Sequence, residues 1–230
     1  MKKSKIFIVF HYNLEDKYNK DILDNATFIS VNNKIEKVIK INTNFNSLKE
    51  SDITGFKDYQ SLKYNESSAI INLSNIIDSY NIDNLTFIQY DDFPNSSFLE
   101  EIRNLEDECL CIRKENPMCG AINEFIYYFN LIINEYNNTF NDNYNLHEVI
   151  GPLYSTFTIS ISEYKRMINF YYNCEYIINL FIEKFGTRHI AGFMERFWCI
   201  YLGLRFKNKL ILSTNIVHNN DIRDRIFNNH

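Results

Sequence analysis

Short apolar runs of strand length alternate with polar or amphipathic stretches through the first half of the chain. The run KIFIVFHY at 5–12 is almost continuously apolar, which is typical of a strand buried on both faces of a parallel sheet. Segment 52–62 begins in the same way and turns polar at Asp58. Further strands are predicted at ATFIS (26–30), KVIKI (37–41), NLTFIQY (84–90) and CLCIR (109–113), and helices at SSAIINLSNIIDSY (67–80) and SSFLEEIRNLEDE (96–108).

The second half of the chain is richer in helical periodicity. Pro117 is a residue type favoured at the first position of a helix, and apolar residues follow it at helical spacing. Segment 153–161 (LYSTFTISI) predicts a strand, after which Ser160 and Glu163 form a capping-box pattern that opens a long helix ending at Gly186. The last helix is predicted from about residue 190, with a core stripe of Ile190, Phe193, Met194, Phe197, Tyr201 and Leu202, and a last strand lies within KLILSTNIV (209–217).

This order of elements predicts an α/β fold, with helices flanking a mostly parallel central sheet and a helix-rich C-terminal half. The chain has 230 residues, a size that suits one domain, and no internal repeat or linker interrupts it. In such folds ligands bind outside the carboxyl ends of the parallel strands. We therefore expect the functional groove at that edge of the sheet.

Composition and charge exclude several classes of protein. Hydrophobic residues make up 45% of the chain and aromatic residues 16%, which is enough for a large core. The net charge is −5 and no long basic run occurs, so we expect no nucleic-acid partner. The heavy use of Asn, Ile and Tyr is interpreted as the codon bias of an AT-rich genome, such as that of a giant virus or a low-GC bacterium.

The N-terminal apolar run ends at Phe10, which is too short for a signal peptide, and no run approaches the ~18 apolar residues of a membrane span. We therefore expect no membrane span and a cytoplasmic location. The cysteines form no CxxC pair, which favours reduced, mostly buried thiols over a metal or redox site. They are Cys109, Cys111, Cys119, Cys174 and Cys199.

Several nucleotide and hydrolase motifs are absent from the sequence. The chain has six glycines and contains neither GxGxxG nor GxxxxGK[ST], which argues against a dinucleotide-binding fold and a P-loop NTPase. Neither HExxH nor GxSxG occurs, so the corresponding metalloprotease and hydrolase readings lack support.

Acidic residues follow two of the predicted strands. Asp58-Tyr59-Gln60 forms an imperfect DxD, and Asp91-Asp92 follows the strand at 84–90. Carboxylates at strand ends suit a hard divalent cation with oxygen ligands, and a solvated loop acid is the equally good alternative at both places.

The histidines are less informative. His11, followed by Tyr12, closes the first strand, where the pair could contact a base or a phosphate or be ordinary strand-end residues. His147 precedes Glu148 in a polar loop, and we interpret the two as a solvated pair. His218 and His230 lie in a polar tail and receive no role at this stage.

Glu195 and Arg196 lie inside the most apolar helix of the chain. A buried carboxylate without a partner is costly, so Glu195 must either face a polar groove or form a structural ion pair, and the spacing leaves both open. His189, Gly192, Arg196 and Gly203 share an adjoining face, where the small residues would allow another element to approach closely.

This helix also carries a resemblance to a known family. RHIAGFMERFWCIYLGLR (188–205) resembles the C-terminal H…G…ER…YL signature of a group of GT-A-like glycosyltransferases, which includes the chlorella-virus sugar transferase domain and bacterial capsular-polysaccharide relatives. Four further segments resemble motifs of that group in the same order, so that the resemblance covers most of 5–205: KIFIVFHY their first strand, ITGFKDYQSLKY their IGFxQYD strand, FIYYFNLIINEYNNTF their Tyr-Asn helix, and LYSTFTISISEYKRMINFY their strand–helix unit. One departure is that Asp58-Tyr59-Gln60 stands where relatives tend to have QYD.

The resemblance implies a single GT-A-like domain over 1–230, with a nucleotide-binding half at about 1–115 and an acceptor-binding, helical half at about 116–230. The implied activity transfers a sugar from a nucleotide-diphosphate sugar to a glycan, glycoprotein or other hydroxyl acceptor with the help of Mn²⁺ or Mg²⁺, in the host cytoplasm if the source is viral. A non-catalytic carbohydrate- or protein-binding module on a decayed transferase fold is the alternative, and a nucleotide-sugar-modifying enzyme other than a transferase is a third.

The resemblance also implies roles for individual residues. Glu195 becomes the catalytic carboxylate, and Asp58 the metal ligand with Asp91 and Asp92 as the alternative. The implied donor-binding residues are His11, Tyr12, Gln60, His189 and Arg196.

Overall fold

The computed structural model describes residues 2–10, 18, 20–31 and 46–218. The strands in these ranges are β1 (Ser4–Phe10), β2 (Ala26–Ser30), β3 (Asn46–Lys49), β4 (Asn84–Gln89), β5 (Asp92–Pro94), β6 (Cys109–Cys111), β7 (Lys114–Glu115), β8 (Gly151–Pro152), β9 (Phe157–Ser160), β10 (Leu210–Leu212) and β11 (Ile216–His218). The helices are α1 (Lys20–Asn25), α2 (Glu66–Asn72), α3 (Ser97–Asn104), α4 (Ile126–Phe140), α5 (Ile161–Asn173), α6 (Glu175–Phe185) and α7 (Ile190–Arg205).

Seven strands form the central sheet in the order β10-β6-β9-β4-β1-β2-β3. Strand β9 is antiparallel to both of its neighbours, and the other neighbouring pairs are parallel. Two short antiparallel pairs, β11 with β5 and β7 with β8, lie outside this sheet. The predicted α/β fold with a mostly parallel central sheet is confirmed.

Both faces of the sheet are buried at the central strand β1, as the unbroken apolar run of that strand predicts. In β1, Phe7 and Val9 pack into the larger core with α2 and α4–α7, while Ile6 and Ile8 pack into a smaller core with α1 and α3. Side chains that alternate along a strand point to opposite faces, so each face receives every second residue. None of the helices in the described part of the chain combines the length and apolarity needed to cross a membrane.

Three predictions of local structure are wrong. Segment 52–62 is not a strand, because β3 ends at Lys49 and the chain continues through two 3₁₀ turns, Glu50–Asp52 and Tyr59–Leu62. The helix predicted from Pro117 begins only at residue 126, after a turn in which Gly120 has φ +63°. The long helix predicted up to Gly186 is two helices, which meet at Cys174. The strand predicted at 37–41 lies outside the described residues.

The final helix agrees with its prediction. Helix α7 begins at Ile190, and the six side chains of its predicted core stripe are buried. Its close neighbour is β8. A Cβ atom on Gly203 would lie 2.8 Å from the carbonyl oxygen of Ile150, and one on Gly151 would lie 1.9 Å from the carbonyl oxygen of Cys199. The small residues predicted to admit another element therefore do so at Gly203, where the β8 backbone packs against the helix.

A buried carboxylate fixes the turns that follow β3. Glu50 is only 2% exposed. Its Oε1 atom accepts hydrogen bonds from the Ser68 hydroxyl and, at 2.7 Å, from the Asn72 amide. The Asn72 amide also binds both the N–H and the carbonyl of Lys57, at 2.9 and 3.0 Å. The Glu50 network therefore ties helix α2 to the segment that carries Asp58.

Replacement of Glu50 by Ala should lower the free energy of unfolding by about 2–4 kcal/mol, because it leaves buried donors of Ser68 and Asn72 without their acceptor. Asp52→Ala is the matched control, since Asp52 is exposed in the same 3₁₀ turn and its loss should change stability by less than about 0.5 kcal/mol. Urea unfolding of both variants measures the difference, and equal effects would contradict the assignment.

The contribution of Glu50 to the free energy of unfolding should depend on pH in a defined direction. Burial raises the pKa of Glu50 above its ordinary value of 4.5. The protonated side chain therefore contributes stability that is fully present below about pH 4.5 and is lost as pH rises through the raised value. The penalty of Glu50→Gln relative to the natural chain should accordingly be larger at pH 4.5 than at pH 8.

Candidate functional site

The acidic pair Asp91-Asp92 lies at the carboxyl edge of the central sheet. Strand β4 ends at Gln89, next to β1, with which it pairs through Val9. The chain then turns, and Asp92 becomes the first residue of β5. Strand β11 pairs with β5 so that His218 lies directly opposite Asp92. A residue from the C-terminal part of the chain is thereby brought to the end of a central strand.

Both oxygens of Asp92 accept hydrogen bonds. The His218 ring contacts Oδ1 through Nδ1 at 2.7 Å, and the Thr156 hydroxyl donates to Oδ2. Thr156 in turn accepts a hydrogen bond of 2.9 Å from the backbone N–H of Gln89. When a neutral histidine donates from Nδ1 to a carboxylate, its Nε2 atom carries the lone pair that can bind a metal.

The two carboxyl groups are held in a strongly perturbed environment. Burial, followed by repulsion from Asp92, raises the pKa of Asp91 to about 6. Burial also raises the pKa of Asp92, against the opposing effect of its hydrogen bonds from His218 and Thr156. Glu66, at the start of α2, repels both carboxylates and raises their pKa values further. Such an accumulation of negative charge favours binding of a cation.

The three side chains fit a divalent metal ion. One potential ligand atom each from Asp91, Asp92 and His218 lies within 4.8 Å of the others. Asp91 is 4% exposed, and its buried Oδ1 atom has no hydrogen-bond partner among the described residues. A buried, unsatisfied carboxylate oxygen is rare in folded proteins and is expected where an ion completes its coordination. Two carboxylates and an imidazole suit Mn²⁺, and the carboxylates also suit Mg²⁺.

Aromatic side chains line the same place. The Tyr154 ring stacks on the His218 ring, with centroids 5.0 Å apart and planes at 15°. The buried Tyr18 hydroxyl lies 3.4 Å from the Tyr90 carbonyl oxygen. Its burial, and after that the charges of Asp92 and Asp91, raise the pKa of Tyr18. The two carboxylates themselves are nearly inaccessible to water, since Asp91 is 4% and Asp92 0% exposed.

The other predicted metal ligand has a local structural role. Asp58 is exposed and caps the Tyr59–Leu62 turn, where its side chain accepts a hydrogen bond of 3.2 Å from the N–H of Ser61. Gln60 donates to the carbonyl of Asn65 at 2.9 Å and to Glu50 at 3.4 Å. Asp58 is not a member of the carboxylate–histidine group found among the described residues.

Arg196 and Glu195, the predicted site residues within α7, both form polar contacts with residues close to them. Arg196 donates to the carbonyls of Gly192, Pro117 and Cys119 at 3.0, 3.1 and 3.0 Å, which fastens the turn before α4 to the helix. Glu195 is half-buried, with one carboxylate oxygen 4.0 Å from the Arg196 guanidinium.

His189 packs edge-on against Phe125 at 5.7 Å. His11 and Tyr12 lie outside the described residues. The catalytic role of Glu195 and the donor-binding roles of Gln60, His189, Arg196, His11 and Tyr12 stay predictions.

His218 and Thr156 are the site residues that sequence reasoning missed. Both are contributed by elements distant in sequence from Asp92, and the β11–β5 pairing that brings His218 to it has only three residues in each strand. The available signal was the strand pattern of KLILSTNIV (209–217), which directly precedes His218. The pattern predicted a strand but not the partner against which it pairs.

No protein-family model matches the sequence, and no curated protein sequence matches it significantly. Among solved structures, the chain is similar to the apo structure of WbbM, a bifunctional glycosyltransferase, with a TM-score of 0.59 and 10% identity over 94% of this chain. This chain spans 45% of the length of that protein. It is also similar to glucosyl-3-phosphoglycerate synthase from Mycobacterium tuberculosis in complex with Mg²⁺ and UDP, with a TM-score of 0.43 and 10% identity. That alignment covers 98% of this chain and 74% of the synthase. The fold of the chain is thus the GT-A-like α/β fold found in glycosyltransferases.

Proposed function

We propose that the protein is a metal-dependent glycosyltransferase that moves a sugar from a nucleotide-diphosphate sugar to a hydroxyl acceptor. The observation that carries this proposal is the convergence of Asp91, Asp92 and His218 at the carboxyl edge of a GT-A-like sheet. Ligands of α/β sheets bind at that edge, and a cation there would lie where a diphosphate approaches.

The hydrogen bonds of the site support a separate role for each of its residues. Asp91 offers a buried oxygen with no partner among the described residues, and His218 offers Nε2, so these two bind the cation directly. Asp92 orients the imidazole through Nδ1 and is itself held by Thr156. A bound Mn²⁺ or Mg²⁺ would neutralise the charge that develops on the leaving diphosphate. Between these two ions, the imidazole nitrogen favours Mn²⁺, because Mg²⁺ prefers oxygen ligands.

The acceptor side of the reaction is assigned to Glu195. A half-buried carboxylate beside an arginine can accept a proton from an acceptor hydroxyl. The proposed acceptor is a glycan or a glycoprotein. The proposed organisation is a nucleotide-binding half at about 1–115 and an acceptor-binding, helical half at about 116–230. A relationship to chlorella-virus or capsular-polysaccharide enzymes and a cytoplasmic location belong to the same proposal.

The proposal predicts that nucleotide-diphosphate sugars stabilise the fold in the presence of Mn²⁺. A ligand at 100 times its dissociation constant adds about 2.7 kcal/mol to the free energy of unfolding. A thermal-shift panel of UDP-, GDP- and dTDP-linked sugars, with Mn²⁺ and with EDTA, measures this. Stabilisation that requires both donor and metal is the expected result. The absence of any shift across the panel would favour the alternative, a binding module on a decayed transferase fold.

A further inference from the structure

The loop 153–156, between β8 and β9, contacts two residues of the candidate metal site, Asp92 and His218. We propose that Tyr154 in this loop is a positioning residue that fixes the plane of the His218 imidazole, so that Nε2 points at the metal. The proposal rests on the proposed function only for its kinetic consequence, since the ring orientation is measurable without metal or donor.

The contact between the two rings is geometrically specific. The centroids are 5.0 Å apart, and the planes deviate from parallel by only 15°. The hydrogen bond to Asp92 holds one ring nitrogen of His218, but a shift of the three-residue strand β11 would tilt the ring and loosen that bond. A flat partner against the face of the imidazole opposes this tilt and so preserves the bond to Asp92.

Arg113 in turn contacts Tyr154. The guanidinium donates to the Tyr154 hydroxyl at 3.0 Å, and its central carbon lies 5.8 Å from the ring centroid. An ion pair with Glu115 on β7 fixes Arg113 in turn. A chain of contacts therefore runs from β7 through the tyrosine to the histidine.

Strand β11 needs such a support. It has three residues and pairs only with the three residues of β5 within the described part of the chain, and two-stranded ribbons of this size are marginally stable alone. Val217, which precedes His218, is 66% exposed, so its side chain contributes little packing. The contacts of the His218 ring therefore add to the few strand contacts that hold this residue in place.

The backbone of Tyr154 points to the same role. Its φ angle is +72°, in the left-handed region where a bulky aromatic residue is strained and glycine or asparagine is favoured. Backbone strain of this kind persists where the surrounding structure requires one particular side chain, and it clusters at functional sites. Two residues later, Thr156 donates to Asp92, so one short loop supports both the histidine and its carboxylate.

The first test compares Tyr154→Leu, which removes the flat ring, with Tyr154→Phe, which keeps it. In Tyr154→Leu the Mn²⁺ dissociation constant, measured by the EPR signal of free Mn²⁺, should rise by about 10–100-fold, as for other groups that orient a metal ligand. Tyr154→Phe loses one exposed hydrogen bond and should change the constant by no more than roughly fivefold. In transfer assays, Tyr154→Leu should raise the KM for the metal and leave kcat at saturating Mn²⁺ largely intact.

Tyr144→Leu provides the matched control. Tyr144 also faces a cation, with Lys207 Nζ 4.8 Å from its ring centroid, but it lies on the loop after α4 rather than at the metal site. This variant should leave Mn²⁺ affinity unchanged. Equal weakening in Tyr144→Leu and Tyr154→Leu would indicate a general loss of stability and would overturn the proposal.

The second test needs no metal. In ¹⁵N NMR spectra of the metal-free protein, His218 should show one fixed tautomer, protonated at Nδ1, in the natural chain and in Tyr154→Phe. The two tautomers should average in Tyr154→Leu. If the natural chain does not bind Mn²⁺, the proposed function fails while this readout still decides the role of Tyr154. An unchanged His218 signal in Tyr154→Leu overturns the positioning role by itself.

Discussion

Replacement of Asp91 by Asn should abolish Mn²⁺-dependent donor binding and lower transfer by at least roughly 10³-fold, since a catalytic metal supplies several kcal/mol and each 1.36 kcal/mol is a factor of ten. The amide has the size of the carboxylate but lacks its charge, and Asp91 Oδ1 is a buried oxygen for which the described residues provide no hydrogen bond. The fold should survive, because the change removes one of two mutually repelling buried acids.

Asp58→Asn separates the two places that the sequence left open for the metal. Asp58 caps a 3₁₀ turn, and asparagine caps a helical turn as well as aspartate does, so the structure should be retained. Mn²⁺ affinity, donor affinity and turnover are measured on both variants. We expect loss in Asp91→Asn alone. Loss in Asp58→Asn with full activity in Asp91→Asn would move the metal to the imperfect DxD and refute the present assignment.

The largest effect on stability is expected from Gly151→Ala. A Cβ atom there would lie 1.9 Å from the carbonyl oxygen of Cys199 and 2.8 Å from its carbonyl carbon, and both atoms belong to the backbone of α7. Neither can move without shifting the helix away from β8. We expect the free energy of unfolding to fall by about 3 kcal/mol or more, which corresponds to roughly 10 °C in melting temperature for a chain of this size.

Two glycines of α7 provide an internal comparison. A Cβ on Gly203 would lie 2.8–2.9 Å from backbone atoms of Ile150 and Gly151, whereas one on Gly192 would have Arg196 Nη1 at 3.5 Å as its nearest neighbour. Alanine is a better helix former than glycine by up to about 1 kcal/mol, so Gly192→Ala should be neutral or stabilising. Gly203→Ala should be destabilising by about 1–3 kcal/mol. Thermal unfolding that ranks the two variants in the reverse order would contradict the close packing of α7 on β8.

The elements most dependent on local pattern could be predicted from sequence. The unbroken apolar run of β1 and the core stripe of α7 reflect burial directly, and the structure confirms both. The strand predicted within CLCIR is also confirmed, over Cys109–Cys111. The mistaken elements depended on tertiary contacts. The turn after Pro117 persists because Arg196 binds its carbonyls, and the segment around Asp58 is held by Asn72 and the Glu50 network.

The candidate site, like the fold, has one part that local sequence predicts and one part that depends on tertiary contacts. Acids after a parallel strand are visible in the sequence, and Asp91 and Asp92 were predicted as an alternative metal site for that reason. The sequence offered no means of choosing between them and Asp58, because the choice depends on burial and on convergence with other ligands. His218 reaches Asp92 through a three-residue strand pairing, and such a pairing has no periodic signal in the sequence.

The central claim is that Asp91 and His218, whose imidazole is oriented by Asp92, bind the metal that binds the donor diphosphate. The most direct measurement is an anomalous difference map from crystals grown with Mn²⁺ and a nucleoside diphosphate. We predict a manganese peak in bonding contact with the Asp91 carboxylate and with His218 Nε2, and bridged to the diphosphate. A manganese peak at Asp58, or a bound nucleoside diphosphate with no peak between Asp91 and His218, would contradict the claim.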